Sequence, residues 1–270
     1  MIIDLAGRVA VITGAGRGIG RDIARRLATE GVHVVGLDVN AADLESLPAE
    51  LAKFGATGDS FVCDITDETR VTEVISEVLT KYGRIDVLIN NAGIGATAPT
   101  DLLDVGTWRR VHEVNLTGTF IMSKAVIPAM KAQRSGRIIN AASFAAIIPS
   151  VAHAAYASSK MAVVQFTRVL AGELGPWNIT VNSYAPGMVP TQLNHFTERE
   201  ELEQARLLGT LTLRRWESTD DIANLLCFLA SDEASYLTGT LIDISGGKFA
   251  TQNPGAAYDY AETGDLAMLP

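Results

Sequence analysis

A phenol and an ammonium one helical turn apart are the first residues in this chain that could do chemistry. They lie in Tyr156-Ala157-Ser158-Ser159-Lys160, inside an apolar stretch of helical character. Positions i and i+4 share one helix face, so the two groups converge. A free phenol titrates near about pH 10, too high for proton transfer at neutrality. An ammonium roughly 5 Å away, at an effective dielectric of about 20, favours phenolate by about 3 kcal/mol. That draws the phenol towards the range of a general acid–base catalyst. The bare pattern also suits a surface helix pair, so its neighbours decide its meaning.

A second group of residues suits a phosphate. Thr13-Gly14-Ala15-Gly16-Arg17-Gly18-Ile19-Gly20 follows an apolar run and opens an amphipathic one. Strand, glycine turn and helix start form the context of a dinucleotide site, where uncapped N–H groups and the helix dipole face pyrophosphate. The strict G-x-G-x-x-G spacing is absent, and the pattern is T-G-x-x-x-G-x-G instead. Asp38 closes the next apolar run, near the distance of about 20 residues at which an acid accepts hydrogen bonds from the adenosine ribose. A carboxylate there repels a 2′-phosphate and favours NAD over NADP. Arg17 argues the other way, and Asp38 also reads as an acid ahead of a helix.

These groups need a scaffold. Strands are expected at 8–13, 32–38, 60–63, 85–90, Gly136–Ala141, 179–184 and 240–244. Helices are expected at 18–30, 41–53, 69–82, 105–132, 153–175 and 220–230. Alternating strands and helices imply right-handed βαβ crossovers, hence an α/β fold with a parallel sheet covered on both faces. Continuously apolar runs such as Val9-Ala10-Val11-Ile12 suit strands buried on both sides. No linker divides the chain, so a single domain is expected. Segment 187–213 reads as irregular, with 188–213 as a substrate lid, and the tail 248–270 as loosely built.

The 270 residues carry 22 basic and 31 acidic side chains, a net charge of −9, with 47% hydrophobic composition. This balance disfavours a broad nucleic-acid surface and non-selective docking on anionic membranes. Nothing reads as a signal peptide or a membrane span, so a cytoplasmic protein is expected. Cys63 and Cys227 sit in apolar runs and read as reduced core residues. His33, His112, His153 and His195 lack ligand spacing, so no metal site is expected.

Asn90-Asn91-Ala92-Gly93 closes the fourth strand, Asn115 lies in the next helix, Ser143 follows the fifth strand, and Pro186-Gly187 comes later. With these motifs in order, from about Gly7 to Gly247, the chain resembles the short-chain dehydrogenase/reductase family in its ordinary, non-extended subgroup. The resemblance implies a single-domain Rossmann fold with a doubly wound, seven-stranded sheet in the order 3-2-1-4-5-6-7. It implies Tyr156 as general acid–base, Ser143 as hydrogen-bond donor to the substrate oxygen, Lys160 lowering the phenol pKa and holding the nicotinamide ribose, and Asn115 supporting a proton-relay water. Cofactor contacts are implied for Gly14, Arg17, Gly18, Ile19, Gly20, Asp38, Asp64, Ile65, Asn91, Ala92, Gly93, Tyr156, Lys160, Pro186, Gly187, Val189 and Thr191. It further implies a homotetramer joined through the helices at 105–132 and 153–175 and the last strand, with Ala154-Ala155 and Ala162-Val163 as apolar faces.

Plainer roles stand beside several of these. Asp64 also reads as a helix cap, Asn115 as a helix amide satisfied by backbone, Ser143 as a turn hydroxyl and Thr191 as a loop start. The expected activity is hydride transfer between NAD and a secondary alcohol or its ketone, the substrate being a polyol, sugar-derived or cyclic alcohol. One alternative is an NADPH-dependent 3-oxoacyl-carrier-protein reductase, for which Lys131 and Arg134 partly supply the carrier-docking charge. Another is a catalytically silent nucleotide-binding sensor or scaffold. Specificity is expected from residues 144–150, from His153 and from the lid. There Phe144, Ile147, Ile148 and Phe196 suggest an apolar pocket, whereas Gln192 and Asn194 suggest hydroxyl partners.

Overall fold

Apolar, β-branched runs without polar alternation form strands covered on both sides. The structure, a computed structural model, describes residues 3–191 and 196–265. Its strands are β1 (Val9–Thr13), β2 (His33–Asp38), β3 (Gly58–Val62), β4 (Val87–Asn90), β5 (Gly136–Ala141), β6 (Ile179–Pro186) and β7 (Leu241–Ile244). Every pairing is parallel, in the order β3-β2-β1-β4-β5-β6-β7 that the resemblance implies. Strand β1 shows why its run has no polar member. Ala10 and Ile12 join one buried cluster with Ile23 and Leu27, while Val9 and Val11 join a second with Val74 and Val126.

Among the described residues the helices are α1 (Gly18–Thr29), α2 (Ala41–Leu44), α3 (Leu47–Ala52), α4 (Glu68–Tyr82), α5 (Val105–His112), α6 (Gly118–Gln133), α7 (Ala154–Leu174), α8 (Glu201–Leu208), α9 (Thr219–Ala230) and α10 (Gly255–Thr263). Side-chain caps fix several starts. Asp67 accepts from the Arg70 N–H at α4, Asp104 from Thr107 at α5, and Ser218 forms a capping box with Asp221 at α9.

Three expectations about helices are corrected. The helix expected at 41–53 is two short ones, because Pro48 lacks an N–H and clashes with a preceding helical turn. The helix expected at 105–132 is interrupted by a π-helical turn, Glu113–Thr117, which carries Asn115. Segment 187–213 contains α8, whose Glu, Leu, Gln, Ala and Arg are good helix formers, and the tail contains α10. The apolar faces expected outside the protomer also change: Ala155 and Val163 are buried within it, and Phe120, Met161 and Val169 are exposed instead. Both cysteines are free and buried, and burial pushes both thiols up to about 11.

A buried polar relay ties the carboxyl ends of the central strands to the helices behind them. Asn90 Nδ2 donates to Asn140 Oδ1 at 2.9 Å and to Ser123 Oγ at 3.2 Å, and Asn140 Nδ2 donates to Thr167 Oγ1 at 2.9 Å. Asn140→Ala strips partners from Asn90 and Thr167 in a site without water access. The expected loss is about 1–3 kcal/mol, or roughly 2–4 °C in Tm for each kcal/mol, measured by thermal and urea unfolding. An unchanged transition contradicts this role for the relay.

Candidate active site

The glycine turn joins β1 to α1, and its geometry excludes larger residues. Gly14 has φ +68°, and a Cβ there would meet Ala92 Cα at 3.0 Å. A Cβ on Gly20 would lie 2.0 Å from the Gly14 carbonyl oxygen, so only glycine lets α1 approach the turn. Arg17 occupies the N-cap of α1 without a side-chain cap, and the first turn holds no acidic residue. The helix therefore presents uncapped N–H groups and its positive dipole end at the sheet's carboxyl edge, the ordinary setting for a phosphate. A dinucleotide's pyrophosphate fits this cradle.

Asp38 ends β2 beside the turn. Its Oδ2 accepts from the Gly16 N–H at 3.0 Å and its Oδ1 from the Asn40 N–H at 3.1 Å. The cap of α2 is Asn40, not Asp38. Asp43 lies 3.9 Å from Arg17 Nε, so the one cation of the turn already has an acidic neighbour. Asp64 follows β3 and accepts from the Thr66 N–H and hydroxyl, with the Arg110 guanidinium at 3.3 Å. Burial opposes its ionisation, but these hydrogen bonds prevail and hold Asp64 below the usual carboxylate range. It does not cap α4, where Asp67 does. Ile65 is buried, and a Cβ on Gly118 would lie 2.6 Å from its side chain.

Beyond β4 the chain is fastened to β1. The N–H groups of Asn91 and Ala92 both donate to Thr13 Oγ1 at 3.0 Å, and Asn91 Nδ2 donates to the Thr13 carbonyl at 3.1 Å. The Tyr184 hydroxyl donates to Asn91 Oδ1 at 3.3 Å. Gly93 then runs beside two candidate site side chains, for a Cβ on it would come within 3.2 Å of both Asn115 Oδ1 and Lys160 Nζ.

Tyr156 and Lys160 share one face of α7, as their spacing requires. Lys160 is 4% exposed, and its Nζ donates to the Ala141 carbonyl at the end of β5, at 2.8 Å. That is one hydrogen bond of the three an ammonium can make. Nζ lies 5.7 Å from the centre of the half-buried Tyr156 ring. Burial pushes the amine down to about 8. Burial likewise pushes the phenol above its ordinary value, against the opposing pull of the nearby Ser143 hydroxyl. The drop expected from charge alone is thus absent in the protein by itself, because desolvation outweighs the one opposing cause, the Ser143 hydrogen bond. Ser143 also accepts from the Ala145 N–H at 3.1 Å.

Asn115 projects from the π-helical turn, a feature that often re-aims functional groups. Its amide spans Ile94, accepting from the N–H at 2.8 Å and donating to the carbonyl at 2.9 Å, and it also donates to Ser159 Oγ. The side chain is satisfied by these partners and touches the site as the wall opposite Gly93. His153 is occupied too, with Nε2 3.2 Å from Thr97 Oγ1.

Strand β6 delivers Pro186 and Gly187. A Cβ on Gly187 would lie 2.8 Å from Ser245 Cα. Val189 is buried in the cluster that packs α1 and α9, and Thr191 is the last residue described before 192–195. Gln192, Asn194 and His195 lie outside the described residues, whereas Phe196 stacks on Trp216 with centroids 5.4 Å apart. Sequence reasoning missed Glu217. Its Oε2 accepts from the Gly187 N–H, its own N–H donates to the Met188 carbonyl at 3.1 Å, and burial pushes its carboxyl up to about 8. An acid between Trp216 and a helix cap carries no local signal of burial.

A glycine turn with an uncapped helix start, beside a phenol–ammonium pair on the carboxyl edge of one parallel sheet, fits an oxidoreductase built on the dinucleotide-binding fold. The chain belongs to the short-chain dehydrogenases, whose family model matches residues 8–202. It is 39% identical over 243 residues to a 3-oxoacyl-(acyl-carrier-protein) reductase of Thermotoga maritima, covering 90% of this chain and 98% of that one. It is also 39% identical over 255 residues to a trans-4-hydroxycyclohexanecarboxylate dehydrogenase of Sinomonas cyclohexanicum, covering 92% and 95%. Among solved structures, NAD+-bound xylitol dehydrogenase superposes with a TM-score of 0.85 at 34% identity, covering 90% of this chain and 99% of that one.

Proposed function

We propose that this dehydrogenase moves a hydride between NAD and a secondary alcohol or its ketone, with Tyr156 exchanging the proton. The observation that carries the reading is Lys160: a buried ammonium with one carbonyl partner, beside the phenol and against Gly93. Bound along this edge, the nicotinamide cofactor supplies or accepts the hydride. Tyr156 Oη then gives its proton to, or takes one from, the substrate oxygen. The Ser143 hydroxyl donates a hydrogen bond to that same oxygen and steadies its developing charge. Lys160 offsets part of the cost of ionising the buried phenol and offers its remaining N–H groups to the ribose hydroxyls.

The turn from Gly14 to Gly20, with Arg17, Gly18 and Ile19, receives the pyrophosphate. Asp38 takes the adenosine ribose, and Asp64 and Ile65 flank the adenine. Asn91, Ala92 and Gly93 form the floor, while Pro186, Gly187, Val189 and Thr191 take the nicotinamide end. Asp38 supports NAD over NADP, because a 2′-phosphate would meet its carboxylate with Asp43 close behind. A polyol or cyclic alcohol is the substrate class we favour, drawing on the relative named for a cyclic alcohol and the neighbour named for xylitol. The exposed Phe120, Met161 and Val169 on α6 and α7 support self-association into a tetramer.

The reductase of T. maritima favours a second reading, reduction of 3-oxoacyl thioesters. Against it, the cations expected to dock a carrier are engaged within the chain. Lys131 Nζ sits 3.9 Å from the Trp177 ring centre, and Arg134 donates to the Pro176 carbonyl at 3.3 Å.

Tyr156→Phe is expected to lower kcat for alcohol oxidation by about 10²–10⁴-fold, the usual worth of a positioned acid–base. The Kd for NAD, read by calorimetry, should stay within about twofold. Retention of the original kcat sinks the proposed role. Asp38→Ser should shift the NAD-to-NADP ratio of kcat/KM towards NADP by about tenfold or more, equivalent to about 1.4 kcal/mol. An unmoved ratio places the discrimination elsewhere.

A further inference from the structure

We infer that Lys248 receives an anionic group of the substrate, so the alcohol this enzyme oxidises is a carboxylate on an apolar frame. The inference rests on the dehydrogenase reading above and narrows it. Lys248 follows β7 and the Gly246–Gly247 turn, where both glycines have positive φ. Its N–H donates to Ser245 Oγ at 3.2 Å, and Ser245 is the residue against which Gly187 packs. Its Nζ donates to Thr210 Oγ1 and lies 6.0 Å from the centre of the Phe144 ring. Phe144 directly follows Ser143. The ammonium is therefore held between the segment after β5 and the segment after α8, at the same carboxyl edge as Tyr156.

Its surroundings are unusual for this chain. Net charge is −9, and the buried guanidinium groups of Arg21 and Arg137 each face a carboxylate. Lys248 is half-buried, yet among the described residues it forms no ion pair. Burial alone moves its pKa, downward, with no acidic group acting against it. A half-buried ammonium without a counter-charge is poised to gain from an incoming anion, because much of its desolvation has already been met. Phe144 supplies an apolar side to it, and the same segment goes on to the exposed Ile147 and Ile148. Arg214, nearby in sequence to Thr210, stacks on Tyr258 at 3.8 Å and among the described residues forms no ion pair, so a second cation stands close to this segment. An apolar side with an unpaired cation suits a ring or short chain bearing a carboxylate better than a polyol.

The test compares trans-4-hydroxycyclohexanecarboxylate with its neutral, nearly isosteric carboxamide, using the full-length protein and NAD. Wild type is expected to favour the carboxylate by about 30-fold in kcat/KM, as a charge-assisted hydrogen bond allows. Lys248→Met should bring that ratio to within about threefold, and Lys248→Arg should restore most of it. Because the ratio is taken within each variant, general damage to folding cancels. A wild-type ratio near one, or a ratio that Lys248→Met leaves intact, overturns the inference. If neither alcohol is oxidised, the dehydrogenase reading is at fault for these compounds. Calorimetric binding of the carboxylate to the NAD complex of wild type and Lys248→Met then decides separately: loss of binding in the variant supports Lys248, and equal or absent binding refutes it.

Discussion

The site depends on keeping one ammonium out of water. Transfer of an isolated cation into a protein interior is costly unless hydrogen bonds or opposite charge offset it. Lys160 has a single carbonyl acceptor, and the shift of its amine to about 8 records that penalty. The carbonyl belongs to Ala141, so the cation is tied to the end of the central strand β5. Gly93 is narrow enough to pass beside it, and Asn115 closes the opposite side through its bonds to Ile94 and Ser159. Remove any of these and either the charge is hydrated or the phenol loses its neighbour.

Parallel strands explain why such different groups meet. All seven end at one edge, and five of them show what their final residues allow. Thr13 leads to the glycine turn, Asp38 to a carboxylate, Asn91 to a fastening amide, Ser143 to a hydroxyl, and Pro186 to a segment held by Glu217. Precision then comes from the relay of Asn90, Asn140, Ser123 and Thr167, whose hydrogen bonds fix neighbouring strand ends against α6 and α7. The chemistry is carried by loops and helix starts, and its accuracy by the sheet behind them.

Much of this was legible in the sequence because the signals are local. The Tyr156–Lys160 spacing encodes a shared face, and Gly14 and Gly20 encode close backbone approach. Continuous apolar runs encode strands buried on two sides, which fixes the fold class. What was not legible depends on distant packing. The π-helical turn at Asn115 interrupts a pattern that reads as uninterrupted helix, and it places that amide on Ile94 and Ser159, partners distant in sequence. Glu217 and Lys248 look like surface charges in sequence, and only the fold buries the first beside Gly187 and half-buries the second near Phe144. The direction of the Tyr156 shift was missed for the same reason: charge spacing can be read from sequence, whereas desolvation cannot.

The central claim is that the Lys160 ammonium offsets part of what burial does to the phenol. Ultraviolet difference titration measures it directly, with each protein compared against its own Tyr156→Phe counterpart so that one phenol is seen. With NAD saturating, Lys160→Met should ionise Tyr156 at clearly higher pH than wild type. Coincident titration curves would contradict the claim.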